Sequence, residues 1–459
     1  MDEADKEISQ DLSSSKPGDD DQRIHPFRRN LEVFISRVDS LADHIGLAMA
    51  AITQSNKQAS ARLEDFLKTK GKAVDGEKDA FTIPEDKFTE FRRLQRKMVR
   101  SQLALRSVPR GLTVALVSEF DAFMGATLKT YYRLKPEALN ASQRVLTFAE
   151  MAAFGSLDAA KEHILEKEVE SFLRSSHSDQ FETLESKLEM PLRKDLAIWA
   201  DFVELTERRN LFVHNDGVVN GQYLQVCKGA GYDCTAMKKG STLGVPQKYF
   251  SRAHEVVYEL AAKLSHVLWR KLSPEDREAA DAHFSGTLIY DLVYEKRYRL
   301  ARTLADFGAS TFKKWGSDYF RRALVVNRAQ AYIWDGNRDR GLEILAAEDW
   351  SAANHEFQLC VAALRRDFPL AIVQMRILGQ AAGPKKEGFR DWPVFRELRR
   401  EKEFQAAFVD VFGEPFATVT ITPSAGLAAD SLAGAEPASA SADSSGEPTG
   451  GDDDAGTVH

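Results

Sequence analysis

The chain has 459 residues and a formal net charge of −7, too long for one ordinary core, so two or three domains are expected. Gly and Pro are scarce, Ala, Leu, Glu, Arg and Lys are common, and alternating Val/Ile/Thr runs are nearly absent, which selects an all-α fold over sheet-based classes. The three cysteines, Cys227, Cys234 and Cys360, exclude a disulfide framework and a four-ligand zinc site and fit a reducing, cytoplasmic compartment.

Residues 1–22 hold eight acids against Lys6 and Lys16, almost without apolar content, and are expected to be a disordered acidic tail rather than a signal peptide. An N-terminal helical extension is expected over 23–83. Within it a helix from Pro26 to Lys68 carries Leu31, Phe34, Val38, Leu41, Ile45 and Ala48 at three- and four-residue steps. Its greasiest part, Leu41 to Ile52, is broken by Asp43 and His44 and is too short to span a bilayer, so no membrane association is expected.

A helical bundle is expected over 84–272. Pro84 sits where a first helical turn tolerates it, and the helix that follows should run to Leu105 and end before Pro109. On it, Arg93, Arg96, Lys97 and Arg100 form a basic stripe that can steer RNA through its phosphates, or simply a solvated face. Further helices are expected over Leu112–Tyr132, Ser142–Phe154 and Leu157–Leu173. A strongly apolar helix follows, through Leu196, Trp199, Phe202, Val203 and Thr206. It leads into Arg208-Arg209-Asn210-Leu211-Phe212-Val213-His214-Asn215-Asp216-Gly217, where Asn-Asp-Gly can end it. Residues 215–247 read as loop-rich, and Tyr249 to Leu272 as the last amphipathic helix of the bundle.

From Leu288 the pattern changes to short helix pairs. Ala301, Gly341, Ala371 and Ala407 recur at 30–40 residues, as small residues that let paired helices approach. Residues 286–418 resemble degenerate tetratricopeptide repeats, a short α-solenoid; a second helical bundle is the alternative. Residues 419–459 hold seven acids and no Lys or Arg, a second expected disordered tail. Removing both tails leaves a body of about +6, so the acidic total does not argue against a polyanionic partner.

An Arg followed within about a turn and a half by a His is uninformative alone, since Arg37–His44 and Arg277–His283 have similar spacings. Context distinguishes Arg209–His214: the apolar helix before it, Asn210 directly after the Arg, and the Asn-Asp-Gly exit. The bland reading is an Arg and a His capping a helix C-terminus. The segment from Glu207 to Gly217 resembles the signature of the HEPN superfamily, all-α domains with Arg-Asn-x-x-x-His at the end of a bundle helix. The resemblance is specific over about fifteen residues. It implies a metal-independent endoribonuclease without a cofactor, often in defence or stress response, with two protomers lining one cleft. On that likeness Arg209 and His214 are the catalytic pair, with Asn210 and Glu204 supporting. His214 would move the proton of the ribose 2′-OH or of the leaving 5′-oxygen, and Arg209 would grip the phosphate. The product implied is a 2′,3′-cyclic phosphate.

Five helical residues separate Arg209 and His214 by about 140° around the axis. Either His214 swings round at the helix end or a second chain completes the site, which fits a homodimer. The repeats would take a protein or peptide partner. The alternative function is a non-catalytic dimerisation and interaction scaffold. No Walker-type Gly loop, Gly-x-Ser-x-Gly elbow or His-Glu-x-x-His is present, so ATPase, hydrolase and zinc-protease readings have no support.

Overall fold

Apolar residues at helical spacing organise almost every segment that the structure, a computed structural model, describes: residues 24–76, 80–142, 144–380 and 383–417. The two expected tails lie outside the described residues. The fold is all-α, with one two-stranded ribbon among the described residues.

Two long antiparallel helices begin it, α1 (Pro26–Lys70) and α2 (Phe88–Leu134), joined at their far end by β1 (Lys72–Ala73) paired with β2 (Phe81–Thr82). His25 caps α1 by accepting from the Phe27 amide and stacks on Trp269 with ring centroids 4.6 Å apart. The pairing register of the two helices is marked by Arg37 to Glu119 (3.1 Å), Ser101 to Asn56 (3.0 Å) and the Phe66–Phe91 rings (6.3 Å).

The expected break at Pro109 does not occur: α2 runs through it, and Pro109 is buried. A mid-helix proline removes one hydrogen bond and costs about 3 kcal/mol. The packed face on its C-terminal side, where Leu116, Val117 and Phe120 are fully buried, offsets that cost. Thr113 Oγ1 also donates to the Pro109 carbonyl at 2.9 Å. By length and composition the segment 85–134 is apolar enough to cross a membrane, but half of its apolar window is buried inside the protein.

The bundle adds α3 (Phe148–Ala153), α4 (Leu157–Arg174), α5 (His177–Leu188), α6 (Trp199–His214), α7 (Gly221–Gly229) and α8 (Gln247–Leu272). The helix expected from Ser142 is confined to α3, because Thr147 and Glu150 form a capping box that starts the helix there. Within the stretch expected to be loop, Asn220 accepts from the Tyr223 amide and starts α7. The first half of α1 is part of this bundle rather than an extension, since Phe27, Leu31, Phe34 and Val38 share one core with Phe120, Phe202, Phe250 and Trp269.

Next come α9 (Arg277–Asp281), a π-helical turn over Ala282–Leu288, α10 (Ile289–Tyr294), α11 (Tyr298–Thr311) and α12 (Asp318–Trp334). The chain finishes with α13 (Arg338–Ala346), α14 (His355–Arg365), α15 (Phe368–Leu378), α16 (Lys386–Asp391) and α17 (Lys402–Phe412). The expected division between 272 and 286 does not divide the core. Ala280, Phe284, Leu288 and Leu304 continue the bundle's apolar interior, because the ladder of α11 faces it. The second core starts on α12 with Val326, Ala329 and Ile333, so that helix serves both. The small marker residues are buried between helices. A Cβ on Gly341 would lie 2.5 Å from Ile333 Cγ1 and 2.7 Å from the Ala329 carbonyl oxygen, so only glycine lets α13 approach α12 this closely.

Candidate functional site

Helix α6 buries Phe202, Leu205 and Leu211 and leaves its last turn in solvent. It ends at His214 for a local reason. The amides of Asn215 and Gly217 both donate to the Leu211 carbonyl at 2.9 Å, with Asp216 (φ 46°) and Gly217 (φ 74°) in the left-handed region. The Asn-Asp-Gly exit is therefore the device that stops the helix beside the His.

Arg208 and Glu204 form a buried knot. Arg208 Nε donates to Glu204 Oε1 at 2.7 Å, and Tyr223 and Tyr249 donate their hydroxyls to the same carboxylate at 2.5 and 2.8 Å. Arg208 also donates to the Gly244 carbonyl (2.9 Å), and its guanidinium lies 3.8 Å from the Tyr249 ring centroid. Burial opposes the charge of Arg208, but Tyr249 and Glu204 more than offset it and raise its pKa. Burial beside Glu204 likewise pushes both tyrosines up. With every oxygen of its carboxylate engaged, Glu204 holds α6 to α7 and α8 and does not face Arg209. Its place is structural, unlike the supporting role expected of it.

Arg209 points the other way. Its Nη2 donates to Asp121 Oδ2 of α2 at 3.0 Å, and the other oxygen of Asp121 accepts from His177 Nε2 at 2.7 Å. The His177 ring packs edge-on against Phe202 at 5.5 Å. Two residues before Arg209, the half-buried Glu207 has its carboxyl pushed up by burial and accepts from Asn210 Nδ2 at 3.2 Å. The Arg209 side chain is 22% exposed, while its Nε is buried and has no hydrogen-bond partner.

His214 is exposed and, among the described residues, has no hydrogen-bond or ion-pair partner. Because α6 stays helical through His214, the Cα positions of Arg209 and His214 sit about 140° apart about its axis. One chain brings Arg209 together with Asp121 and His177 but not with His214.

The basic stripe expected on the second helix lies on α2, and Arg93, Arg96, Lys97 and Arg100 are all exposed without ion-pair partners among the described residues. The structure extends it. Residues 91–118 of α2 contain no Asp or Glu, and neither do residues 44–63 of α1, which lie alongside. Lys57, Arg62 and Arg106 add to the same carboxylate-free span. It ends at Arg110, which donates to Asp216 at 2.8 Å and lies 5.3 Å from the Phe212 ring centroid. The cationic arm thus runs to the turn that carries His214.

Asp121 and His177 escape a sequence reading because no spacing links them to Arg209. The carboxylate-free run between Glu90 and Glu119, by contrast, was open to inspection. The cysteines are ordinary thiols; burial pushes Cys227 up to about 12. No protein-family model, curated protein or solved structure matches the chain.

Proposed function

We propose that the protein is a metal-independent endoribonuclease of the HEPN type, acting as a homodimer. The observation that carries this reading is the position of His214: exposed, unpaired among the described residues, and at the foot of a carboxylate-free cationic arm. Seven or more cations without intervening acids suit a phosphate backbone, and an unbonded imidazole there is available to move protons.

In this reading the ribose 2′-oxygen attacks phosphorus and the bond to the 5′-oxygen breaks. One proton leaves the 2′-OH and one reaches the 5′-oxygen, His214 serving one or both transfers. Arg209 offers the guanidinium arm not given to Asp121 to a non-bridging phosphate oxygen. Since the two side chains stand on different sides of α6, the His214 of one protomer would work with the Arg209 of the other, pairing two α6 ends. The C-terminal helix pairs would then recruit or regulate. A role in cytoplasmic defence or stress response follows from the HEPN resemblance alone.

The engagement of Arg209 by Asp121, which also holds His177, favours a second reading, a non-catalytic scaffold in which this cluster only fastens α5 and α6 to α2. One experiment separates them. Purified protein in EDTA should cut single-stranded or transfer RNA to products with a cyclic phosphate, and His214→Ala should slow cutting by about 10²–10⁴ without altering the helical signal. A dimeric wild type that leaves RNA intact establishes the scaffold; a His214→Ala variant that cuts at the wild-type rate refutes the mechanism.

A further inference from the structure

The repeat region holds a cavity of about 370 Å³ between the π-helical turn, α10, α12, α14 and the turn after Trp392. It is unlike an ordinary gap between helices. Its walls are aromatic: the Tyr319 ring lies 5.0 Å from Phe357, and Tyr290 stands edge-on to Trp392 at 6.4 Å. Two polar groups line it without the partners that burial demands. The Gln330 amide is 2% exposed, and its Nε2 has no hydrogen-bond partner. Glu356 is half-buried and accepts from the Tyr319 hydroxyl at 3.1 Å, yet among the described residues no Lys, Arg or His pairs with it. Burial pushes its carboxyl up, as expected for an acid that lacks a counter-charge.

A carboxylate short of a cation, set among ring faces that attract cations, defines what is missing. We propose that this cavity is a binding site for an organic cation, an ammonium or guanidinium group whose charge meets Glu356 and whose carbon framework lies between the rings of Tyr290, Tyr319 and Trp392. The unpartnered Gln330 Nε2 is a donor, so it suits an oxygen carried beside the cation, such as a peptide carbonyl, and not the cationic group itself. The size suits a single basic side chain or a small free amine. The site stands apart from α6 and does not depend on the nuclease reading.

The test titrates full-length protein with spermidine and, separately, with a short Gly/Ser peptide bearing one lysine or arginine, following tryptophan fluorescence and binding heat. Saturable binding is expected, weakened at least about tenfold by Glu356→Gln, with the fluorescence change lost in Trp392→Phe and affinity unchanged in His214→Ala. Binding of spermidine alone assigns a free amine; binding of the peptide, with or without spermidine, assigns a basic side chain. Should Glu356→Gln not fold, Tyr290→Leu carries the same expectation of weakened binding. Wild type that saturates with neither probe, or a folded variant that binds both as wild type does, overturns the proposal.

Discussion

Arg208 and Arg209 are neighbours in sequence and opposites in structure. Arg208 turns inward to a carboxylate, two phenols and a carbonyl, in a site nearly closed to water. Arg209 turns toward α2, shares Asp121 with His177 and keeps part of its surface in solvent. One position along a helix turns a side chain by about 100°. Here that rotation separates an arginine that holds the fold from one that can meet a ligand.

The comparison can be broken by mutation. Glu204→Ala should show the largest effect, leaving Arg208 buried without its counter-charge at a cost of about 3–5 kcal/mol by urea unfolding, while Asp121→Ala should cost well under half of that. Equal losses would erase the distinction between the two sites. Next in size, Gly341→Ala should destabilise the C-terminal helix pairs by about 1–3 kcal/mol through the clash with Ile333 and Ala329, and leave the α6 region untouched.

A pH series tests a buried imidazole of the bundle core. His266 is fully buried, and burial beside His283 and Arg270 holds its pKa well below the ordinary value. The unfolded chain therefore takes up the proton first. Stability from this residue is complete above about pH 6.5 and is lost as pH falls below it. Melting temperatures at pH 7.5 and 5.5 should differ less in His266→Asn than in wild type. Smallest of all, Arg209→Ala should change stability by no more than about 1 kcal/mol, because its ion pair is partly exposed. A loss as large as that of Arg208→Ala would make both arginines structural.

The helical class, the ladders of α1, α6 and α8 and the close-packing glycine at 341 were legible because each depends on local periodicity or on a small side chain. The end of α6 was legible too, since Asn215, Asp216 and Gly217 set it by backbone bonding within a few residues. What the pattern hid was tertiary. Pro109 reads as a stop, and only the packed face beyond it explains why α2 continues. Glu204 lies on the same side of the helix as Arg208, which is why it read as a helper; the two tyrosines that close around it come from α7 and α8, remote in sequence. Asp121 and His177 are 88 and 32 positions before Arg209, and no spacing rule joins them.

The unbroken passage of α2 through Pro109 has a mechanical consequence. Arg93 and Arg110 belong to one rod, so they are held about 25 Å apart by helical rise alone. A long molecule lying on the arm while another of its parts rests at the end of α6 would be gauged, its two contact points spaced by a fixed count of residues. Deleting matched heptads from α1 and α2 would shorten the gauge without repainting its surface.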